Sequence, residues 1–188
     1  MFRLVCIAAL LVVSFTQNLW GAQPADQQAM REKWRKEKNQ GNFRDAYEGF
    51  RALALDAKCD PRQVGEDLRM ATDCLQRLNL INEIDDFREA VIAVHKDNWR
   101  LLWAAARNYM EVPHQGFMIA GKFERGPHRG GGKVVNAIER DRVRALQLLV
   151  QAMPKARQDD NRAEAAQMLL YLAEVLLNQR GDSEAWRL

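Results

Sequence analysis

The feature that most constrains the fold is a helical period of apolar residues that continues through most of the chain. Apolar side chains recur at intervals of three and four, as in the run Phe43, Ala46, Tyr47, Phe50 and Leu53. The 188 residues include only five prolines and eleven glycines, and six of those glycines lie between positions 116 and 132. No segment alternates convincingly at period two. The sequence therefore predicts an all-α fold interrupted by one glycine-rich segment.

The same pattern predicts several helix faces and ends. Met30 and Trp34 lie four residues apart, on one face of the first helix. Asn98 and Asn136 are expected to cap helices, and Pro154 is expected to separate the last two helices. Val143, Leu149 and Val150 are among the residues expected on the inner side of the helix that Asn136 caps.

Residues 1–22 have the pattern of a secretory signal peptide. Arg3 supplies a positive start, an apolar run of about 12 residues follows from Leu4 to Phe15, and Gly21-Ala22 offers small residues for cleavage. That run is shorter than the ~20 residues needed to span a bilayer. We therefore expect a mature chain without a stable membrane span, exported to the periplasm or the extracellular space.

The mature chain retains two cysteines, Cys59 and Cys74, and an even number in an oxidising compartment raises the question of a disulfide. If Pro61 opens a helix that includes Cys74, roughly 13 residues at 1.5 Å each separate the two Cα atoms by about 20 Å. A disulfide requires about 7 Å or less. The sequence predicts two free, partly buried thiols.

The predicted helices are grouped in hairpins. A turn at Gln40-Gly41-Asn42 precedes a helix with Phe43, Ala46 and Phe50, and this pattern resembles the turn and second helix of a tetratricopeptide repeat. A second match is residues 171–177 followed by 181–185. The resemblance implies a solenoid of tandem antiparallel helix hairpins over 23–112 and 136–188. Because repeat arrays need capping elements, the apolar end Trp186-Arg187-Leu188 leads us to expect the front part of a longer polypeptide.

Residues 113–135 are predicted to form a long basic, glycine-rich loop inserted between the helices. Four cations and Glu124 give this segment a net charge of +3, the same as that of the whole chain. A weak anion or partner site is one interpretation and a solvated loop is the other; a P-loop is excluded because Val134 stands where the hydroxyl residue belongs. The candidate binding residues are Arg125, His128, Arg129, Gly130, Gly131, Gly132 and Lys133.

The sequence contains no catalytic or metal-binding constellation. The histidines at 114 and 128 lack the close spacing of zinc ligands, and neither mature cysteine has a placed base. The carboxylate pairs Asp85-Asp86 and Asp159-Asp160 are interpreted as helix caps or solvated faces. Trp99 and Trp103 are four residues apart, a spacing that favours core packing over a ligand platform. We therefore predict no enzyme, no cofactor and no metal.

Four segments of the chain resemble the N-terminal helical region of large secreted bacterial alpha-2-macroglobulin-like proteins. They are residues 95–102, 116–123, 128–132 and 139–148. The resemblance implies the leading section of a protease-trap-like protein, which docks onto the remainder of its own chain or onto an envelope partner. The thioester signature Cys-Gly-Glu-Gln is absent, so no inhibitory residue is carried over. Nucleic acid is not an expected partner. The alternative is a stand-alone periplasmic protein that binds an anion or ligand through residues 116–133.

Overall fold

A computed structural model describes residues 24–177, so the predicted signal peptide and the end of the chain at 178–188 lie outside the described residues. Within that range the protein is mostly helical, as predicted, with one small sheet. In chain order the elements are α1 (Pro24–Asn39), α2 (Phe43–Ala54), α3 (Val64–Arg77), a short 3-10 helix (Ile81–Glu83), α4 (Ile84–Val94), α5 (Trp99–Glu111), β1 (Gln115–Ile119), β2 (Lys122–Arg125), β3 (Lys133–Asn136), α6 (Ile138–Ala156) and α7 (Arg162–Leu177).

Local sequence explains several helix boundaries. The Asn98 side chain accepts hydrogen bonds from the backbone N–H groups of Arg100 and Leu101, which caps α5 as predicted. Gly41 adopts φ +89° between α1 and α2, a conformation that favours glycine. Asn42 does not cap α2 with its side chain. Its amide instead donates to Glu37 of α1 at 2.7 Å.

The core is formed mainly by α2, α3, α5 and α6, with α5 lying between α3 and α6. Its fully buried side chains include Phe50, Leu68, Leu75, Leu101, Leu102, Leu148 and Leu149. Small residues let the helices approach closely. A Cβ atom added to Gly65 of α3 would lie 2.7 Å from the Cβ of Ala104 in α5. A Cβ atom at Gly49 would collide with the Trp34 ring.

Residues 113–135 are not the loop that the sequence predicted, because most of them form an antiparallel three-stranded sheet in the order β2-β1-β3. The β1–β2 hairpin turns at Ala120 and Gly121, both with positive φ (48° and 82°), as a two-residue hairpin turn requires. The register pairs Gly116 with Arg125. Residues 126–132 connect β2 to β3. The prediction that no sheet would form was wrong.

The predicted inner face of α6 was out of phase with the observed one. Val143 and Val150 were expected inside, but they are 50% and 57% exposed. The buried stripe instead includes Asp141, Arg142, Ala145 and Leu148. A stripe that contains two charged residues cannot be located from hydrophobicity alone, which explains the error.

The ends of α6 also differ from prediction. Asn136 belongs to β3, and Ala137 occupies the N-cap position. Pro154 was expected to end the helix but lies inside it. Pro154 lies only two residues before the last helical residue. It cannot donate a hydrogen bond to the carbonyl oxygen of Val150, but Val150 is exposed, so water can reach this oxygen.

Among the described residues, the helices are all too short or too polar to cross a membrane.

Candidate functional site: a polar junction under the sheet and a groove between helices

The structure separates Arg125 from the other predicted binding residues. Arg125 ends β2 with a buried side chain, whereas His128, Arg129 and the three glycines lie in the connection to β3, and Lys133 is its first residue. The half-buried His128 ring lies 5.8 Å from the Phe117 ring. The exposed side chains of Arg129 and Lys133 have no hydrogen-bond or ion-pair partner among residues 24–177.

The Arg125 guanidinium joins the sheet to two helices. Its Nε donates to Asp85 of α4 at 2.9 Å, and its Nη2 donates to Asp141 of α6 at 2.8 Å. A third donor, Nη1, contacts the carbonyl oxygen of Pro113 at 2.5 Å. The side chains of Arg125 and Asp141 are both 0% exposed. This guanidinium is therefore committed to internal contacts, unlike the exposed cations of the β2–β3 connection.

Arg88 and Arg140 extend this polar junction. Arg140 donates to Asp85 at 2.6 Å and to Asp141 at 2.8 Å. Arg88 donates to Asp85 at 2.5 Å, and its guanidinium lies 3.2 Å from the centre of the Tyr109 ring. Asp85 is thus shared by three arginines and is neither a helix cap nor a purely solvated residue, which corrects its predicted role.

The electrostatics of the junction favour ionised carboxylates. Burial alone would raise the pKa of Asp85, but hydrogen bonds from Arg125 and Arg140 and the charge of Arg88 lower it below its usual value. Burial alone would also raise the pKa of Asp141. The hydrogen bonds that this carboxylate accepts from Arg125, His114 and Arg140 outweigh burial and lower the pKa. Both carboxylates stay charged at neutral pH, so they remain ionic partners of the arginines that hold the sheet against the helices.

A groove lies on the side of the helices formed by α3, α5 and α7. It contains a cavity of about 190 Å³. Gly65 and Ala104 line it where α3 and α5 approach closely, and the half-buried Trp103 ring lines it as well. The indole Nε1 of Trp103 is buried and has no hydrogen-bond partner in the described part of the chain. An unpaired buried donor costs about 1–3 kcal/mol, so this N–H favours a ligand that brings an acceptor.

Charged residues of both signs surround the groove. Arg100 donates to Glu164 of α7 at 2.9 Å and to Asp159 at 2.8 Å, which ties α7 to α5. Asp159 also accepts from Trp99 Nε1 at 2.9 Å. It is therefore an inter-helix contact, a role that the sequence did not predict. In contrast, Arg62 lines the cavity and has no ion-pair partner among the described residues.

The tryptophan pair gives a mixed result. Trp99 is 5% exposed and belongs to the core, as predicted. Trp103 stacks on it with ring centres 6.3 Å apart, but it also lines the groove. In the sequence, the groove is marked only by the small residues Gly65 and Ala104, which let α3 and α5 approach closely. Two isolated small residues form no recognisable pattern, so the groove was not predicted.

Neither of the two thiols in the described range is activated as a nucleophile. Cys59 and Cys74 are free, as predicted, and they are buried rather than partly buried. Burial raises the pKa of Cys59 to about 12 and that of Cys74 to about 11, so both remain protonated at neutral pH and are poor nucleophiles. No group of three or more potential metal ligands occurs within residues 24–177.

Comparison of the chain with protein families, with curated proteins and with solved structures finds no significant match. The proposed function therefore rests on the geometry of the groove and on the sequence.

Proposed function

We propose that this chain is an exported protein-interaction module that binds an extended polypeptide segment in the groove of α3, α5 and α7. The unpaired indole N–H of Trp103 carries the proposal. A peptide carbonyl in the groove would accept this hydrogen bond once a small rotation of the Trp103 ring exposes the N–H. The Arg62 side chain, which has no ion-pair partner among the described residues, favours an acidic residue in the segment.

The tetratricopeptide-like repeat pattern supports this function, because stacked helix hairpins present a continuous concave surface to extended ligands. Together with the resemblance of four segments to alpha-2-macroglobulin-like proteins, it leads us to propose that the partner belongs to a larger protein of that kind, either the remainder of the same polypeptide or an envelope protein. Export through the segment 1–22 is part of this proposal.

Random peptides displayed on phage and selected on the immobilised chain would test the groove even though the natural partner is unidentified. Trp103→Phe keeps one aromatic ring and removes the five-membered ring of the indole together with its N–H. We expect the selected peptides to bind this variant at least about 2- to 12-fold more weakly, because one hydrogen bond of about 0.5–1.5 kcal/mol is lost and contact area is lost with it.

Val150→Ala provides a matched control, because Val150 is exposed on α6 and lines none of the described groove. It should leave peptide binding unchanged. If Trp103→Phe and Arg62→Ala bind the selected peptides as well as the native chain, the groove is not the binding site.

Binding of an anion by the β2–β3 connection is the second candidate function. Its support is that Arg129 and Lys133 are exposed cations without partners among the described residues, whereas Arg125 is already held by two carboxylates. Titration with sulfate, followed by the backbone amide resonances of residues 128–133, would test it. Equal shifts in the native chain and in Arg129→Ala/Lys133→Ala would exclude a specific site.

A further inference from the structure

The small sheet has one covered edge and one open edge. In the order β2-β1-β3, both outer strands are edges. β2 lies against the 3-10 helix, and a Cβ atom on Gly126, the residue after β2, would lie 2.9 Å from the Cβ of Ile81. The backbone of β3 has hydrogen bonds to β1 and to no other element among residues 24–177. The side of β3 that faces away from β1 is therefore open, and we call it the open edge.

The hydrogen-bond pattern shows which backbone groups lie at the open edge. The N–H of Ala137, the residue after β3, donates to the carbonyl oxygen of His114, the residue before β1, at 2.7 Å. In an antiparallel ladder, hydrogen-bonded pairs alternate with non-hydrogen-bonded pairs. Val135 is two residues before Ala137, so it also bonds to β1. The N–H and C=O groups of Val134 and Asn136 therefore point away from β1.

The other side of β1 has the matching pattern. The N–H of Gly126 donates to the carbonyl oxygen of Gln115 at 2.9 Å, so Gln115 bonds toward β2. Its neighbour Gly116 must then bond toward β3, because successive residues of a central strand bond to opposite sides. Gly116 lies opposite Val135 in the register. Both ladders thus leave the backbone groups of Val134 free of β1.

The side chains at the open edge are apolar on one face of the sheet and basic on the other. Val134 is 66% exposed and lies opposite Phe117. Lys133 projects to the opposite face, because successive side chains of a strand alternate. Arg129, in the connection before β3, is a second exposed cation. The next strand beside β3 would therefore meet an apolar side chain on one face and unpaired positive charge on the other.

This charge favours an acidic partner over a second copy of the chain. Two copies paired through β3 would bring Lys133 and Arg129 of both chains to one short edge, and like charges oppose such pairing. The nearest carboxylate of the sheet, Glu124 in β2, lies on the far side of β1 and 3.7 Å from His128. A segment that alternates apolar and acidic residues would place its apolar side chains beside Val134 and its carboxylates beside Lys133.

We propose that β3 is the docking edge for an extended acidic segment of another polypeptide, which adds a strand to the sheet. The outward N–H and C=O groups of Val134 and Asn136 form the main-chain hydrogen bonds, and the alternation of apolar and acidic side chains provides specificity. No residue of the sheet lines the groove of α3, α5 and α7, so this inference goes beyond peptide binding there. It shares Arg129 and Lys133 with the anion candidate, but it rests on main-chain pairing, which sulfate cannot form.

Hydrogen exchange of the full chain with a synthetic peptide tests the proposal. The probe is acetyl-Thr-Glu-Val-Glu-Val-Glu-Thr-amide, and its control has lysine in place of each glutamate. At a saturating concentration of the acidic peptide, we expect the amides of Val134 and Asn136 to exchange several-fold more slowly, because they gain an acceptor. The amide of Val135 should change less, since it is already bonded to β1.

Substitutions separate main-chain pairing from charge attraction. Val134→Pro removes an outward N–H and no bond to β1, and proline is tolerated at such a position of an edge strand. We expect it to weaken binding of the acidic peptide at least about 2- to 12-fold, through the loss of one hydrogen bond. Val134→Thr keeps the N–H and the branched Cβ, so this control should bind more tightly than Val134→Pro. Lys133→Glu combined with Arg129→Glu should reverse the preference, so that the lysine peptide binds more tightly.

Unchanged exchange at Val134 and Asn136 with saturating acidic peptide would overturn the proposal, and so would an equal slowing by sulfate alone. A preference for the acidic peptide that persists in the doubly charge-reversed variant would also overturn it. Trp103→Phe leaves the open edge intact and should bind the acidic peptide as the native chain does. Failure of binding at the edge is therefore distinguishable from failure of binding in the groove.

Discussion

Replacement of Asp141 by Asn, which exchanges one carboxylate oxygen for an amino group, should weaken the attachment of the sheet to the helices. The Asp141 carboxylate is fully buried and lies within hydrogen-bond distance of Arg125, Arg140 and His114, at 2.8–3.1 Å. Asn keeps the shape of the side chain, but it removes the negative charge and turns one acceptor into a donor that faces arginine N–H groups. Arg125 then remains buried with only Asp85 to balance it.

The size of the effect follows from that loss. Removing one partner of a buried ion pair costs about 3–5 kcal/mol, and the contact with Asp85 that remains places this case near the lower limit. For a domain of this size about 1 kcal/mol lowers Tm by 2–4 °C, so about 3 kcal/mol corresponds to a decrease of roughly 6–12 °C. Urea unfolding followed by far-ultraviolet circular dichroism measures the free energy of unfolding directly.

Asp97→Asn is the matched control, since Asp97 makes the same type of contact, to Lys155 at 2.7 Å, on the protein surface. We expect no measurable change in its stability. Hydrogen exchange should also show faster exchange of the β1 amides in Asp141→Asn than in the native chain. If the two Asn variants unfold at the same urea concentration, the polar junction does not hold the sheet against the helices.

Three further predictions concern the sheet, the acid response and the thiols. Gly116→Ala should cost at least about 1–3 kcal/mol, measured by urea unfolding, because the new methyl group collides with the β2 backbone; a neutral effect would contradict the register. The pKa values of Asp85 and Asp141 are lowered in the folded protein. Their contribution to the free energy of unfolding is therefore complete well above the unfolded-state pKa of about 4, and it is lost as the pH falls from there through the folded-state pKa values. Urea midpoints between pH 6 and pH 2.5 should show this loss, with a smaller slope in Asp141→Asn; equal slopes would contradict it. Cys59 and Cys74 should react with a thiol reagent at pH 8 only after unfolding, since their pKa values are about 12 and 11, and rapid reaction of the native chain would refute their burial.

The helices could be predicted from the sequence wherever their inner faces are apolar. Helix α2 is such a case, with Ala46, Phe50 and Leu53 all buried, and so is the capped start of α5 at Asn98. In α1 the apolar pattern does not identify the buried side. Met30, which the pattern places on one face with Trp34, is 41% exposed, whereas Arg31 beside it is 1% exposed.

Buried arginines explain this failure and the phase error in α6 together. Arg31 donates to Asp67 at 2.7 Å and lies 2.9 Å from the Cys59 sulfur, which ties α1 to α3. Arg142 occupies the inner stripe of α6 and holds the end of α7. A hydrophobicity pattern counts each of these residues as exposed. Its error is therefore greatest at the positions where charged side chains join one element to the next.

The sheet escaped prediction for a related reason. Alternation was not visible because the inward positions of β1 and β2 include Gly116 and Arg125, and neither residue is hydrophobic. Gly116 leaves space that the Phe123 ring occupies, since a Cβ atom there would lie 2.7 Å from that ring. Arg125 packs inward because Asp85 and Asp141 neutralise it. Such a strand can be predicted only when the partners of its inward residues are known. For Arg125 these partners are Asp85 and Asp141, which lie 40 and 16 residues away in the sequence.

This dependence on partners also determines where binding is to be expected. The charges first considered as a ligand site divide into two groups. Arg125 is already neutralised by carboxylates of the same chain, whereas Arg129 and Lys133 have no such partner among the described residues. Polar groups that remain unpaired after folding are the ones available to another molecule. Water solvates the exposed cations, whereas the buried N–H of Trp103 has no partner among the described residues, so an acceptor that reached this N–H would gain more. The groove between α3, α5 and α7 is therefore a better candidate for a specific partner than the basic connection between β2 and β3.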